Sequence, residues 1–367
     1  MMKAAVIGSG AVGLAVADEL SRRGIAVELF ERSGQPGAEA SGAAAGILSP
    51  QAEADGPGPF WDLLSEAHRL IPETVERLQR LSGLSLDYRA DGMFGLAFTP
   101  EDEAVLDRQA AWQQRCGVVF ERVDPARIRR EEPAVDGRVR SGIFWRDNAQ
   151  LDPVRMVQAY RRAVELQGVR FHWNRPVTRL LLEGDRVLGV ESAGVRTEAD
   201  AVVDCAGSWG GLEGVLPFKI PLEPVRGQML EFSVEKPVVR AIVHSPRAYL
   251  VQRAGGKLVA GTTLERVGFD RTVTEEGRRA IQAGVEEMCS GGSSWRFERA
   301  WAGLRPETPD HLPILGKTPL SGFWVAAGHY RNGILLAPLT GRLMADLITG
   351  KSGPERIAPF SLRRFEK

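Results

Sequence analysis

Gly8-Ser9-Gly10-Ala11-Val12-Gly13 has the spacing of a phosphate cradle. Gly8 permits a tight turn, Gly10 lets the backbone approach a pyrophosphate, and Gly13 lets a helix pack closely on a strand. A helix starting here would turn free N–H groups and positive dipole toward the phosphates. Glu31 follows about twenty residues on, where a carboxylate accepts hydrogen bonds from ribose hydroxyls and disfavours a 2′-phosphate. A ligand-free glycine-rich turn has the same letters, so the flanking elements decide. Residues 3–7 read as a strand buried on both faces. Residues 11–23 read as a helix with Leu14, Ala17 and Leu20 on one face and Gly24 as its stop, and 25–30 as a second buried strand. Together they form one βαβ unit that fits a dinucleotide, either NAD or FAD.

Three later segments could add backbone to the same site. Ser41-Gly-Ala-Ala-Ala-Gly46 carries only small side chains, which let N–H groups lie against a flat ring; an alanine-rich loop is the alternative. Ala206-Gly207-Ser208-Trp209 closes another buried strand, either beside the cofactor or simply as a turn. Gly328-His-Tyr-Arg-Asn-Gly333 lies between a strand and a helix, and the helix start there could stabilise negative charge on a reduced ring.

The remaining elements must position these pieces. Residues 34–59 form a long Gly, Ala, Ser and Pro-rich connection, and such lengths are usually functional. Helices are expected over 60–81, 101–115, 154–167, 275–288 and 333–347. Strands are expected over 169–173, 177–183, 187–192, 201–205, 222–234, 248–261 and 323–327, with a strand pair over 87–98 turning near Asp91-Gly92. The α/β pattern of the two ends and of 150–217 contrasts with antiparallel character near 86–149 and 219–304. The fold class expected is α/β (α+β overall). A Rossmann-like domain (1–85, 150–218, 305–367) interleaves with a mainly antiparallel substrate-binding domain (86–149, 219–304).

Lys plus Arg (47) balances Asp plus Glu (47), which argues against nucleic acid or an anionic membrane as the main partner. No apolar run is long enough to span a bilayer, and the N-terminus lacks a secretory pattern. Cys116, Cys205 and Cys289 have no metal-ligand spacing and read as reduced, mostly buried thiols of a cytoplasmic protein.

The four segments, in this order, resemble the D-amino-acid oxidase superfamily of FAD-dependent oxidoreductases, and the resemblance spans essentially the whole chain. Its most specific pieces are Ala43-Ala-Ala-Gly-Ile-Leu48, Gly92-Met-Phe-Gly-Leu-Ala-Phe98, Trp301-Ala-Gly-Leu-Arg-Pro306 and Ala326-Ala-Gly-His-Tyr-Arg-Asn-Gly-Ile-Leu-Leu-Ala-Pro338. It implies bound FAD, contacted from Gly8, Gly10, Ala11, Val12, Gly13, Glu31, Arg32, Ser41, Ala44, Ala45, Gly46, Val177, Ala206, Gly207, Trp209, Gly303, His329, Arg331, Asn332, Gly333 and Ile334. It also implies that Arg305 pairs with a substrate carboxylate, that Tyr249 stands beside that carboxylate, and that Arg331 lies near flavin and substrate. A planar guanidinium and a phenol suit a carboxylate. An internal salt bridge for Arg305, a core place for Tyr249 and a backbone role at residue 331 are the alternatives. His329 could be a base, but a structural place is expected because hydride transfer from a neutral amine needs no strong base.

The implied reaction is oxidative deamination of glycine, sarcosine or small D-amino acids, with oxygen as acceptor and hydrogen peroxide as product, feeding thiamine thiazole synthesis. The implied assembly is a homo-oligomer, a homotetramer. A dehydrogenase delivering electrons to a quinone or partner protein is the rival, and a non-catalytic FAD protein a weaker one. Some members attach flavin through a cysteine in the stretch matching 303–310; none occurs here, so non-covalent FAD is expected. Ile47 and Arg247 replace methionine and histidine of the pattern, and Arg247 is expected to add positive charge near Tyr249.

Overall fold

The computed structural model describes residues 1–211 and 214–366. Lys3–Ile7 is the centre of a six-stranded sheet in the order Ile314–Lys317, Phe323–Ala327, Ala201–Asp204, Lys3–Ile7, Ala26–Phe30, Arg170–His172. All pairings are parallel except that of the Ile314–Lys317 edge. Side chains alternate across a strand. Ala4 and Val6 therefore pack toward the helices, while Ala5 and Ile7 pack against Val177, Leu180, Val187 and Val190 of a small antiparallel sheet on the other face. Burial on both sides is why this strand reads as a continuous apolar run.

Helix Ala11–Arg22 lies between that sheet and the helix Gly333–Ile348. The two helices touch backbone to backbone: a Cβ at Gly341 would lie 2.4 Å from the carbonyl oxygen of Ala15. Pro59–Ser82 packs on Gly333–Ile348 and on Pro153–Leu166, burying Leu64, Ala67, Ile71 and Leu78 along one face.

The second large sheet has eight strands, ordered Arg296–Glu307, Glu223–Ser233, Lys257–Gly261, Tyr249–Arg253, Ile242–His244, Met93–Ala97, Ser141–Trp145, Glu121–Val123. It is antiparallel except between Ile242–His244 and Met93–Ala97. One face buries Phe94, Phe232, Leu250 and Leu258 with Ile281, Val285 and Met288 of helix Glu275–Met288. The other face packs Met93, Trp145, Met229 and Val251 together with Ala45, Ile47 and Ala52. That second face also presents Tyr249.

Three expectations change. The 34–59 connection contains two short helices, Ala40–Ala43 and Pro50–Glu53, and the strand Ile47–Leu48, which pairs with Ala149–Gln150. Ser49 caps the second helix through its hydroxyl and Pro50 opens it, a start signal hidden among small residues. Residues 87–98 yield one strand, Met93–Ala97, and a single bridge from Arg89 to Gln150, because positive φ at Asp87 and Gly92 interrupts the extended run. The 248–261 run folds into two strands joined at Gly255-Gly256. Cys205 and Cys289 are buried and Cys116 is exposed, all three free. No helix among the described residues is long and apolar enough to cross a membrane.

Gly341→Val should push the last helix off the first. We expect a loss of about 2–3 kcal/mol from overpacking, with weaker cofactor retention because both helix starts move. Thermal melting with and without added FAD checks this.

Candidate active site

A cavity of about 640 Å³ runs between the two large sheets, within the ~300–1,000 Å³ span usual for small-molecule and cofactor sites. Gly8, Gly10 and Val12 line it, as do Glu31, Arg32, Ser41, Ala44, Ala45, Gly46 and Val177. So do Ala206, Gly207, Trp209, Gly303, His329, Arg331, Gly333 and Ile334, together with Tyr249 and Arg305. Sequence positions more than 300 residues apart thus share one chamber.

At one end the glycine turn takes its expected form. Gly8 has φ +98°, and a Cβ there would sit 2.6 Å from the Cys205 carbonyl oxygen. A Cβ on Gly13 would come within 2.0 Å of the Gly8 carbonyl oxygen. Gly13 is therefore a packing residue behind the turn and does not itself reach the cavity. Ala11 also stays behind, its N–H donating to Ser41 Oγ at 3.0 Å. Glu31 is buried; one carboxylate oxygen accepts from the Ser9 amide and hydroxyl, at 2.9 and 2.6 Å, and the other from those of Ser33, at 2.8 and 2.9 Å. Arg32 pairs with Glu39 and stacks its guanidinium 3.4 Å from the Trp209 ring centroid.

Helices Ala11–Arg22 and Gly333–Ile348 both start at the cavity, and neither has a side-chain N-cap or an acid in its first turn. Helices Pro100–Arg115, Pro153–Leu166 and Glu275–Met288, by contrast, are capped by Thr99, Asp152 and Thr274. Two uncapped N-termini leave N–H donors and positive dipole facing one space. Asn332 does not line the cavity; its amide donates to Glu53 Oε2 at 3.3 Å.

At the other end stand Arg305 and Tyr249. Arg305 Nη2 donates to Thr262 Oγ1 at 2.8 Å and Nη1 to the Thr263 carbonyl at 3.2 Å. The expected alternative of an internal salt bridge does not occur among the described residues. Gly227, on the adjoining strand, makes the space: a Cβ there would lie 2.1 Å from Arg305 Nη1. Tyr249 directs its hydroxyl at Met229 Sδ, 3.2 Å away. Burial pushes its phenol up to about 12 in spite of the nearby Arg305 charge, so it stays protonated.

Four arginines line the cavity, and three have acidic partners. Arg32 pairs with Glu39, Arg247 with Asp102 at 2.8 Å and Glu287 at 3.0 Å, and Arg331 with Glu53 at 3.0 Å. Arg305 alone holds neutral acceptors among the described residues. The positive charge expected from Arg247 is thereby offset, a correction no local pattern could supply because Asp102 is 145 residues away.

Glu53, Thr262, Thr263 and His244 were not singled out from the sequence. For Glu53 the readable signal was Ser49-Pro50, the start of its helix. For Thr262 it was the glycine before it in a strand, which marks close approach: a Cβ at Gly261 would lie 2.4 Å from the Tyr249 hydroxyl. Burial raises the Glu53 carboxyl despite Arg331. Burial, with Arg331 second, drops His244 to about 4. His329 is also lowered to about 4 by burial, and its Nε2 lies 3.0 Å from Thr340 Oγ1. Both rings are neutral near pH 7.

A profile of the FAD dependent oxidoreductase family (DAO) matches residues 3–347. The chain belongs to this family. It is 30% identical to a glycine oxidase of Pseudomonas aeruginosa over 97% of each chain. It is 32% identical to the bifunctional protein ThiO/ThiG of Synechocystis over 98% of its own length, spanning about half (53%) of that relative. The crystal structure of glycine oxidase from Geobacillus kaustophilus superposes with a TM-score of 0.95 at 28% identity, covering 100% of both chains. The mixed α/β fold is that of these proteins. The chain is thus an FAD-dependent oxidoreductase, and its own cavity fits the group: a glycine cradle, two uncapped helix starts and a stretch of alanine and glycine backbone all line it.

The buried histidines couple pH to stability. Their folded values lie below the ordinary histidine range, so the unfolded chain binds more protons between about pH 6.5 and 4, and stability is lost as pH falls through that window. His329→Gln should flatten the slope there by up to about 1.4 kcal/mol per pH unit. Urea unfolding at several pH values measures it.

Proposed function

We propose that the chain oxidises small amino acids at the carbon next to nitrogen. The candidate substrates are glycine, sarcosine and small D-amino acids, with oxygen as the final acceptor. The products are the imine or α-keto acid, ammonia or amine, and hydrogen peroxide. The observation that carries this reading is Arg305, a cavity guanidinium with neutral partners only. A carboxylate would give it the bidentate partner that it lacks.

In this reading Arg305 fixes one end of the substrate, and Tyr249, protonated, adds a directional donor and no base. His244 and His329 are neutral. The substrate amine therefore reacts in its neutral form, with its Cα held toward the wall built by Ala44–Gly46 and the start of helix Gly333–Ile348. Non-covalently bound FAD supplies the two-electron acceptor for the hydride that leaves Cα. The protein supplies orientation, worth several kcal/mol of barrier, and N–H donors from the helix start for growing negative charge.

The same reading takes 1–85, 150–218 and 305–367 as the FAD-binding domain and 86–149 and 219–304 as the substrate-binding domain, a division supported by strand membership in the two large sheets except that Arg296–Glu307, a strand of the antiparallel sheet, runs past the 304/305 boundary. A role in thiamine thiazole synthesis belongs to the proposal through the similarity to the ThiO/ThiG protein.

The deciding experiment is an anaerobic visible spectrum with added glycine. Bleaching that reverses in air with release of peroxide supports the oxidase. Bleaching that persists in air would redirect the assignment to a dehydrogenase with another acceptor, and a spectrum indifferent to glycine, sarcosine, D-alanine and D-proline would overturn the substrate class. Arg305→Ala should raise KM for the amino acid by about two orders of magnitude. Gly227→Ala, which displaces the guanidinium without removing it, should raise KM by about tenfold with a smaller change in kcat. Unchanged KM in both variants would take Arg305 out of the site.

A further inference from the structure

The cavity holds a second guanidinium whose charge is switched off from within the chain. Arg331 Nη2 lies 3.0 Å and Nε 3.1 Å from the same Glu53 oxygen, which also accepts from Asn332 Nδ2 at 3.3 Å. Glu53, Arg331, Arg305 and Tyr249 all line the one chamber. Arg331 is 278 residues from Glu53 in sequence, and the last turn of the short helix Pro50–Glu53 brings the carboxylate to it. His244, on the same wall, is neutral and adds no charge.

We infer that Glu53 is a specificity-determining residue: by neutralising Arg331 it restricts the cavity to amines with one carboxylate and excludes those with two. The inference rests on the assignment of Arg305 to the substrate carboxylate. With Glu53 charged, a monocarboxylate finds one unpaired guanidinium, and a second carboxylate would meet a guanidinium already occupied by an acid. A second carboxylate placed beside the Glu53 charge in a partly desolvated site meets like charge, a repulsive element that discriminates against the wrong ligand. With Glu53 uncharged, two guanidiniums would face one chamber, a receptor for dicarboxylates such as iminodiacetate or an acidic amino acid. Selectivity here comes from an acid that need not touch the substrate.

The test uses the flavin-loaded protein and two anions with no amine to oxidise, acetate and malonate, titrated against the visible spectrum of the bound flavin. In Glu53→Gln, which keeps the side-chain shape and an acceptor for Arg331, the ratio of malonate to acetate dissociation constants should fall by about tenfold or more. Glu53→Gln with Arg331→Met should return the ratio to that of the unaltered protein. Activity should follow, with iminodiacetate oxidised by Glu53→Gln at a rate that rises relative to glycine. An unchanged ratio, or equal tightening of both anions, would overturn the inference while leaving Arg305 in place. Acetate that fails to perturb the unaltered protein would overturn the carboxylate site and this inference with it. Should Glu53→Gln not retain flavin, Arg331→Met alone reads the same pair with opposite sign: it exposes the Glu53 charge and should weaken malonate more than acetate, and equal weakening of the two would count against the inference.

Discussion

A guanidinium set in a half-enclosed chamber without an acid is costly, and much of the molecule serves to keep Arg305 in that condition. Its hydrogen bonds go to Thr262 and Thr263, neutral acceptors that take two of its five donors and leave the charge unpaired among the described residues. The strand Arg296–Glu307 holds it in register with Val225, and Gly227 leaves the volume into which it folds. Every other cavity-lining arginine is matched with a carboxylate, Arg32 with nearby Glu39 and Arg247 and Arg331 with acids from distant elements. The field that reaches a small anion in the chamber is therefore localised at one group, which gives orientation as well as attraction.

The opposite wall works through backbone. Gly8 and Gly13 bring strand, turn and helix into contact distances that a Cβ would forbid, and Gly341 does the same for the two helices that start at the cavity. Dipoles and N–H groups fixed in this way need no reorganisation when charge develops nearby. The cavity thus carries backbone amides at two helix starts as well as the Arg305 guanidinium, positive groups of two different kinds.

The βαβ unit over Lys3–Phe30 was legible because burial on both faces, a glycine turn and a helix stop coincide within thirty residues. Arg305, Tyr249 and Arg331 were legible as candidates because each lies in a distinctive local motif, and the structure brings all three into one chamber. What the letters could not carry is pairing at long range. The Glu53–Arg331 bridge and the Arg247–Asp102 bridge close over 278 and 145 residues, and each offsets the positive charge that a local reading assigns. The strand pair expected over 87–98 failed for a different reason: β-forming composition says nothing of the positive φ at Asp87 that ends the extended run. Glycines inside strand patterns, Gly227 and Gly261, were the unread clues to where side chains from neighbouring strands must fit.

The central strand has a further consequence, in how the chain is made. Lys3–Ile7 takes its place between Ala26–Phe30 and Ala201–Asp204, and the amide of Lys3 bonds to a carboxylate 197 residues later. At the usual pace of synthesis, roughly 10–40 s pass between emergence of that strand and emergence of its second neighbour. The helix that seals the first one against water, Gly333–Ile348, follows later still. Until Arg170–His172 and Ala201–Asp204 have emerged, the first βαβ unit is a two-stranded fragment with both sheet edges unpaired. The cavity that Gly8, Ala206 and Gly333 line together is therefore completed only after Gly333–Ile348 has been made.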